Sequence, residues 1–224
     1  MKTCDKIINF FNSLEPASLP QNIEILDPYH SKEVNSILFS FYNKYFNDSK
    51  RRILIFGINP GRFGGGLTGI PFTDPYNLIK ECNIETEFPK KREMSSKFIY
   101  EMILSYGNLK SFYKNFFITS ICPYGFVRDG KNLNYYDDNE LLKKWKNKIV
   151  LWIKSQIKTI GTSDTCVVIG KGKNINFFEM INKEYNFFKD VIVLPHPRWI
   201  LQYKSKNKNI YISEYVNKLK NLEL

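Results

Sequence analysis

Apolar and polar positions follow two different periods along this chain. Lys6 to Leu14 and Lys32 to Phe46 carry apolar residues three and four apart, the spacing of amphipathic helices. Ile53-Leu54-Ile55-Phe56-Gly57-Ile58 is a continuous apolar run bracketed by Arg51-Arg52 and Asn59-Pro60-Gly61, which predicts a buried strand. Helices are expected over Tyr76 to Cys82 and Ser96 to Tyr106. Phe116-Phe117-Ile118-Thr119-Ser120 predicts a second strand that ends in the turn Cys122-Pro123-Tyr124-Gly125. From Asp138 to Thr159, the residues Leu141, Leu142, Trp145, Ile149, Trp152 and Ile153 keep helical spacing. Thr165 to Ile169 and Val191 to Leu194 give strands three and four, and a last helix is expected over Tyr211 to Leu222. Strands separated by helices imply right-handed crossovers. The expected fold is therefore α/β, with a central four-stranded, mainly parallel sheet and helices on both faces. No repeat, low-complexity tract or linker breaks the pattern, so 1–224 reads as one domain.

Composition narrows the class. An apolar content of 43% argues against disorder. No apolar run nears the roughly 20 residues that cross a membrane. Charge interrupts Met1-Lys2-Thr3-Cys4-Asp5-Lys6, where a signal peptide would have an apolar core, so a cytoplasmic protein is expected. Cys4, Cys82, Cys122 and Cys166 lie far apart, which favours reduced thiols over a metal or iron–sulfur site; no metal or other cofactor is expected. A net charge of +11 attracts polyanions, and exposed aromatics among the 16% present can stack on unpaired bases. A lysine-rich surface that only solvates helices would give the same numbers. Charge alone does not decide between them.

The candidate chemistry sits after strands. The loop Asn59 to Phe72 (NPGRFGGGLTGIPF) follows the first strand, carries an amide at the strand end and closes on an aromatic ring. In open α/β sheets ligands bind at the C-terminal ends of strands. Ser120 ends the second strand, and Pro195-His196-Pro197-Arg198 follows the fourth.

This combination resembles the uracil-DNA glycosylase superfamily, and within it the single-strand-selective monofunctional uracil-DNA glycosylases, as a bacterial branch. That family's first motif reads G-x-N-P-G-x-F-G-x-x-x-T-G-x-P-F. Gly57-Ile58-Asn59-Pro60-Gly61-Arg62-Phe63-Gly64 and Thr68-Gly69-Ile70-Pro71-Phe72 match it without a gap. Its second motif opens with His-Pro after the last strand, as His196-Pro197 does here. The resemblance spans Arg51 to Lys208. Mismatch-specific thymine/uracil glycosylases share the G-I-N-P-G opening but lack T-G-x-P-F and the histidine. The most active uracil glycosylases carry G-Q-D-P-Y-H. Asp27-Pro28-Tyr29-His30 looks like the end of that motif but precedes the first strand, and is read as a turn.

The resemblance implies a three-layer α/β/α sandwich and a monofunctional glycosylase that hydrolyses the N-glycosidic bond of uracil, and of some 5-substituted uracils, in DNA. His196 would donate to the base O2, where negative charge develops. Asn59 cannot titrate and is assigned to positioning the attacking water. Phe72 would stack on the flipped base, Gly61 would let the backbone approach it, and Ile58 would complete the pocket. No lysine stands at either motif position, so no Schiff-base chemistry is expected. A monomer acting on uracil-containing DNA, away from membranes, is the expected assembly.

Two positions depart from the family. An asparagine that reads the base's Watson–Crick edge aligns with Ser120, whose hydroxyl makes fewer directed bonds. After His196-Pro197 the family's Ser-Pro-Arg-Asn-Pro-like continuation is replaced by Arg198-Trp199-Ile200-Leu201-Gln202-Tyr203. This segment is expected to wedge into DNA through Arg198 or a nearby apolar side chain. Arg62, Lys204, Lys206 and Lys208 are candidate phosphate contacts. Blander readings exist for each: Asn59 as a turn former before proline, Phe72 as core, Ser120 as a cap, the lysines as a solvated loop. Two alternatives of other classes remain. One is a silent DNA-binding relative. The other is a nucleotide-binding module using Gly64-Gly65-Gly66 or Gly170-Lys171-Gly172-Lys173, although neither forms a P-loop or dinucleotide fingerprint.

Overall fold

The computed structural model describes residues 1–222; Glu223 and Leu224, the end of the expected 1–224 domain, lie outside the described residues. The chain runs through α1 (Thr3–Asn12), β1 (Glu24–Leu26) and α2 (Lys32–Tyr45) into β2 (Arg52–Gly57). Helices α3 (Gly65–Thr68), α4 (Pro75–Lys80), α5 (Met94–Tyr106) and α6 (Leu109–Asn115) lead to β3 (Phe116–Ser120). A hairpin of β4 (Gly125–Arg128) and β5 (Lys131–Leu133) precedes α7 (Asn139–Thr159) and β6 (Gly161–Ile169). Then come α8 (Lys173–Tyr185), β7 (Asp190–Leu194), α9 (Pro197–Tyr203), a 3-10 turn at Ser205–Asn207 and α10 (Lys208–Lys220).

The four apolar runs form one parallel sheet in the order β3-β2-β6-β7, the centre of an α/β/α sandwich. Parallel strands are covered on both faces, which is why they read as unbroken apolar runs. All of β2 is buried. Arg52 is its first residue rather than a bracket outside it. Its guanidinium is fully buried, donating to the Tyr113 carbonyl at 2.7 Å and pairing with Asp48 at 2.7 Å. A buried charge persists only with such partners. Phe178 of α8 packs on Phe56 at 5.3 Å between ring centroids, and Tyr42 and Phe46 pack on Phe117 of β3. Asp138 caps α7, accepting from the Leu141 amide at 2.9 Å.

Several elements were not expected. A second, antiparallel sheet of order β1-β4-β5 stands beside the main one, and α6, α8 and α9 fill stretches read as connections. β6 begins at Gly161 rather than Thr165, with a register irregularity between Arg52 and Leu54 of its neighbour β2. The Asp27–His30 segment is a turn: Asp27 accepts from the Tyr29 amide at 3.2 Å and meets His30 Nδ1 at 2.9 Å. All four cysteines are buried and free. Among the described residues no helix is long and apolar enough to cross a membrane.

Candidate functional site

Parallel strands place their C-terminal ends along one edge of the sheet. The register sets Ser120 level with Gly57 and Ile169 level with Leu194. Asn59 therefore leaves β2 close to the end of β3, and His196 follows β7 along the same edge. A cavity of about 260 Å³ opens there, lined by Ile58, Asn59, Gly61, Phe72, Ser120, His196 and Arg198. These seven expected residues come together in space.

Asn59 is held by main-chain atoms. Its Nδ2 donates to the Leu133 carbonyl at 3.2 Å, and its Oδ1 accepts from the Tyr135 amide at 3.1 Å. Both partners belong to β5 and the residues just after it. Tyr135 is itself anchored, its hydroxyl donating to Asn174 Oδ1 at 2.9 Å while Asn174 Nδ2 reaches the Ile169 carbonyl at 3.3 Å. The amide thus has a fixed orientation, with one lone pair of Oδ1 left over for a further donor.

His196 caps α9. Its Nδ1 accepts from the Arg198 amide at 3.1 Å, so the neutral ring carries its proton on Nε2. Burial, with a smaller push from the Arg198 charge, lowers its pKa to about 4. Near neutral pH the ring is an uncharged donor. Phe72 lies 5.9 Å from it between ring centroids, inclined at 46°. Phe72 adopts a left-handed backbone, φ 54°, rare for an aromatic residue. Its ring presses on Gly57, where an added Cβ would stand 2.7 Å from the ring edge. That glycine makes room for the Phe72 ring. Ser120 is buried, and its hydroxyl has no protein partner among the described residues.

The four remaining expected residues lie outside the cavity wall. Arg62 folds its guanidinium over Phe63, 4.9 Å from the ring centroid. Lys204 and Lys206 are exposed beyond α9. Lys208 is engaged by Glu101 of α5 at 2.6 Å, which removes it from the set of free cations. The segment after His196 is helix α9, and its Arg198, Trp199 and Tyr203 line the cavity. Trp199 and Tyr203 are 41% and 70% exposed, and Trp199 also meets Tyr211 edge-on at 6.2 Å between ring centroids.

Residues not anticipated from sequence also line the wall: Glu93, Asn132, Asn134 and Gln202. The Glu93 carboxyl is pushed up to about 7, first by burial and then by the charge of Asp74, with Arg198 opposing. Asn132 Oδ1 accepts from the Arg62 amide at 3.2 Å, tying β5 to the glycine loop. That loop closes on itself, since the amides of Gly66 and Thr68 donate to the carbonyls of Gly61 and Gly64 at 3.0 and 3.1 Å. Amides so used cannot cradle a phosphate. In the Gly170–Lys173 turn the Gly170 amide donates to the Leu194 carbonyl at 2.9 Å.

Comparison with known proteins places the chain in a family. Residues 43–220 match the family model described as the uracil DNA glycosylase superfamily. The crystal structure of wild-type SMUG2 from Pedobacter heparinus superposes with a TM-score of 0.95 at 45% sequence identity, over 99% of this chain and 98% of that one. A match over most of the chain, together with that likeness in sequence and shape, means that the chain belongs to the uracil DNA glycosylase superfamily, on its bacterial, single-strand-selective-like branch.

Proposed function

We propose that this glycosylase of DNA is monofunctional and hydrolyses the N-glycosidic bond of uracil, extending to 5-substituted uracils. The observation that carries the reading is a backbone-locked amide and a neutral imidazole donor on the walls of one cavity. Breaking the bond leaves positive charge on the sugar and negative charge on the base. In this reading the flipped base stacks on Phe72, and Nε2–H of His196 donates to O2 as charge gathers there. A donor with a pKa of about 4 is uncharged near neutral pH, so it favours the base anion by hydrogen bonding rather than as a resident cation. The free lone pair of Asn59 Oδ1 holds the attacking water against the sugar.

Water as the nucleophile fits the wall, which contains no lysine among the described residues. Ser120 reads the base edge, while Ile58 and Gly61 bring backbone close to it. Arg198 and Trp199 form the wedge at the mouth of the cavity. Arg62, Lys204 and Lys206 contact phosphates, with the net charge of +11 behind them. The glycine loop's internally bonded amides weigh against a nucleotide-binding module.

Single-turnover cleavage of a fluorescent oligonucleotide carrying one uracil, followed by alkali, tests the reading. Wild type is expected to give strand breaks only after alkali. His196→Ala should slow the step by about 10²–10³-fold, the scale of a lost oxyanion-hole donor, and Asn59→Ala should slow it comparably. Equal rates in wild type and variants would remove both assignments. Lesion-independent DNA binding with no abasic product would instead identify a silent relative.

A further inference from the structure

The mechanism above leaves one cavity group unused. Glu93 is the only carboxylate in the wall among the described residues. It precedes α5, and its amide is pinned by Asp74 Oδ2 at 2.7 Å, while Asp74 also holds the Asn77 amide at 2.8 Å. The side chain lies flat against the glycine loop. A Cβ added at Gly61 would stand 2.6 Å from Oε1, and one at Gly64 only 2.0 Å from Oε2. Neither glycine can be replaced while this carboxyl keeps its place. Yet among the described residues neither oxygen has a hydrogen-bond or ion-pair partner in the protein. Half-buried in the cavity wall with neither oxygen paired, this carboxyl is available to a polar group that enters.

Asp74, which caps α4, and His196 and Arg198, at the start of α9, are the titratable and charged groups around it. Of these, Asp74 favours the neutral acid and Arg198 the anion; burial adds to the former and prevails. The chemistry of the cavity points the same way. A departing base carries developing negative charge, which a carboxylate would repel, whereas a carboxylic acid offers an O–H donor.

We propose that Glu93, in its protonated form, donates a hydrogen bond to a carbonyl oxygen of the flipped base and acts with the Ser120 hydroxyl as a specificity-determining residue. This rests on the glycosylase reading above. Bases that present a keto oxygen at the glycine-loop wall are accepted there. An exocyclic amino group in the same position cannot accept that O–H bond and loses the contact. Glu93 thereby supplies the second directed polar contact to the base that a lone serine hydroxyl lacks.

The test is single-turnover cleavage of the uracil oligonucleotide from about pH 5.5 to 8.5 with wild type, Glu93→Gln and Glu93→Leu, each checked for folding by thermal unfolding. Wild type should lose rate as pH rises through the Glu93 titration, approaching about tenfold per pH unit beyond it. Glu93→Gln keeps an N–H donor at every pH and should give a flat profile over the same range. Glu93→Leu should be slower by about tenfold or more near pH 6. A glutamine variant that still falls with the wild-type slope would overturn the proposal, as would a leucine variant as fast as wild type near pH 6. Wild type that cleaves with a flat profile removes the role of Glu93 alone. Wild type that cleaves at no pH removes the glycosylase reading and this proposal with it.

Discussion

Ser120 brings a single hydroxyl to a position where an amide would make two directed bonds. Its neighbours on β2 and β3 are buried, and among the described residues the hydroxyl has no hydrogen-bond partner. Ser120→Asn should therefore hold the rate on uracil within about threefold and lower by about tenfold the rates on bases with a different Watson–Crick edge. Single-turnover rates across a panel of lesions measure this, and an unchanged ratio would take Ser120 out of the pocket. Residues such as this were legible in the sequence because strand ends are legible: Asn59, Ser120 and His196 each close an apolar run. Glu93 was not. It follows Lys90-Lys91-Arg92, and a charge at the end of a charged run looks like solvated surface. Only the fold turns it inward, through the grip of Asp74 on its backbone.

Among the elements, the small antiparallel sheet does more for the site than its size suggests. β5 and the residue after Asn134 supply the carbonyl and amide that hold Asn59. The hairpin turns at Asp129-Gly130, where φ is 50° and 66°, the left-handed pair of a tight primed turn. That dipeptide was the available sign of a hairpin. The strands themselves were hidden, since β1 and β5 have three residues each and include exposed positions. α9 was missed for a similar reason: seven residues hold too few turns to show a period. The main sheet was legible because burial on both faces keeps the runs 53–57, 116–118 and 166–169 apolar. Tyr135, just after the hairpin, ties it to Asn174 in the first turn of α8. Tyr135→Phe leaves the Asn174 oxygen unpaired in a buried place and should cost about 1–3 kcal/mol. Thermal unfolding should show this as a drop of about 2–4 °C per kcal/mol. Cleavage should slow by less than about tenfold, because the backbone amide at 135 remains. An unchanged melting temperature would mean that the hairpin and α8 are not coupled through this bond.

At the scale of the whole molecule, two cavity groups impose opposite pH dependences on stability. His196 has a pKa lowered from 6.5 to about 4, so the unfolded chain binds its proton more readily. The stability this group contributes is present above 6.5 and is lost as pH falls through about 4. Glu93 has a pKa raised from 4.5 to about 7, so the folded chain binds the proton more readily. Its contribution is present below 4.5 and is lost as pH rises through about 7. Glu93→Gln should accordingly raise the melting temperature relative to wild type by more near pH 8 than near pH 5, and a pH-independent difference would contradict the titration. The grip on Asn59 has a different consequence, for how the sequence can change over time. Carbonyls and amides are supplied by almost every residue type, and only proline withholds the amide. The hairpin can therefore drift in composition without releasing the catalytic candidate, whereas a single insertion or deletion between Gly130 and Tyr135 would shift the strand by one residue and withdraw both contacts together.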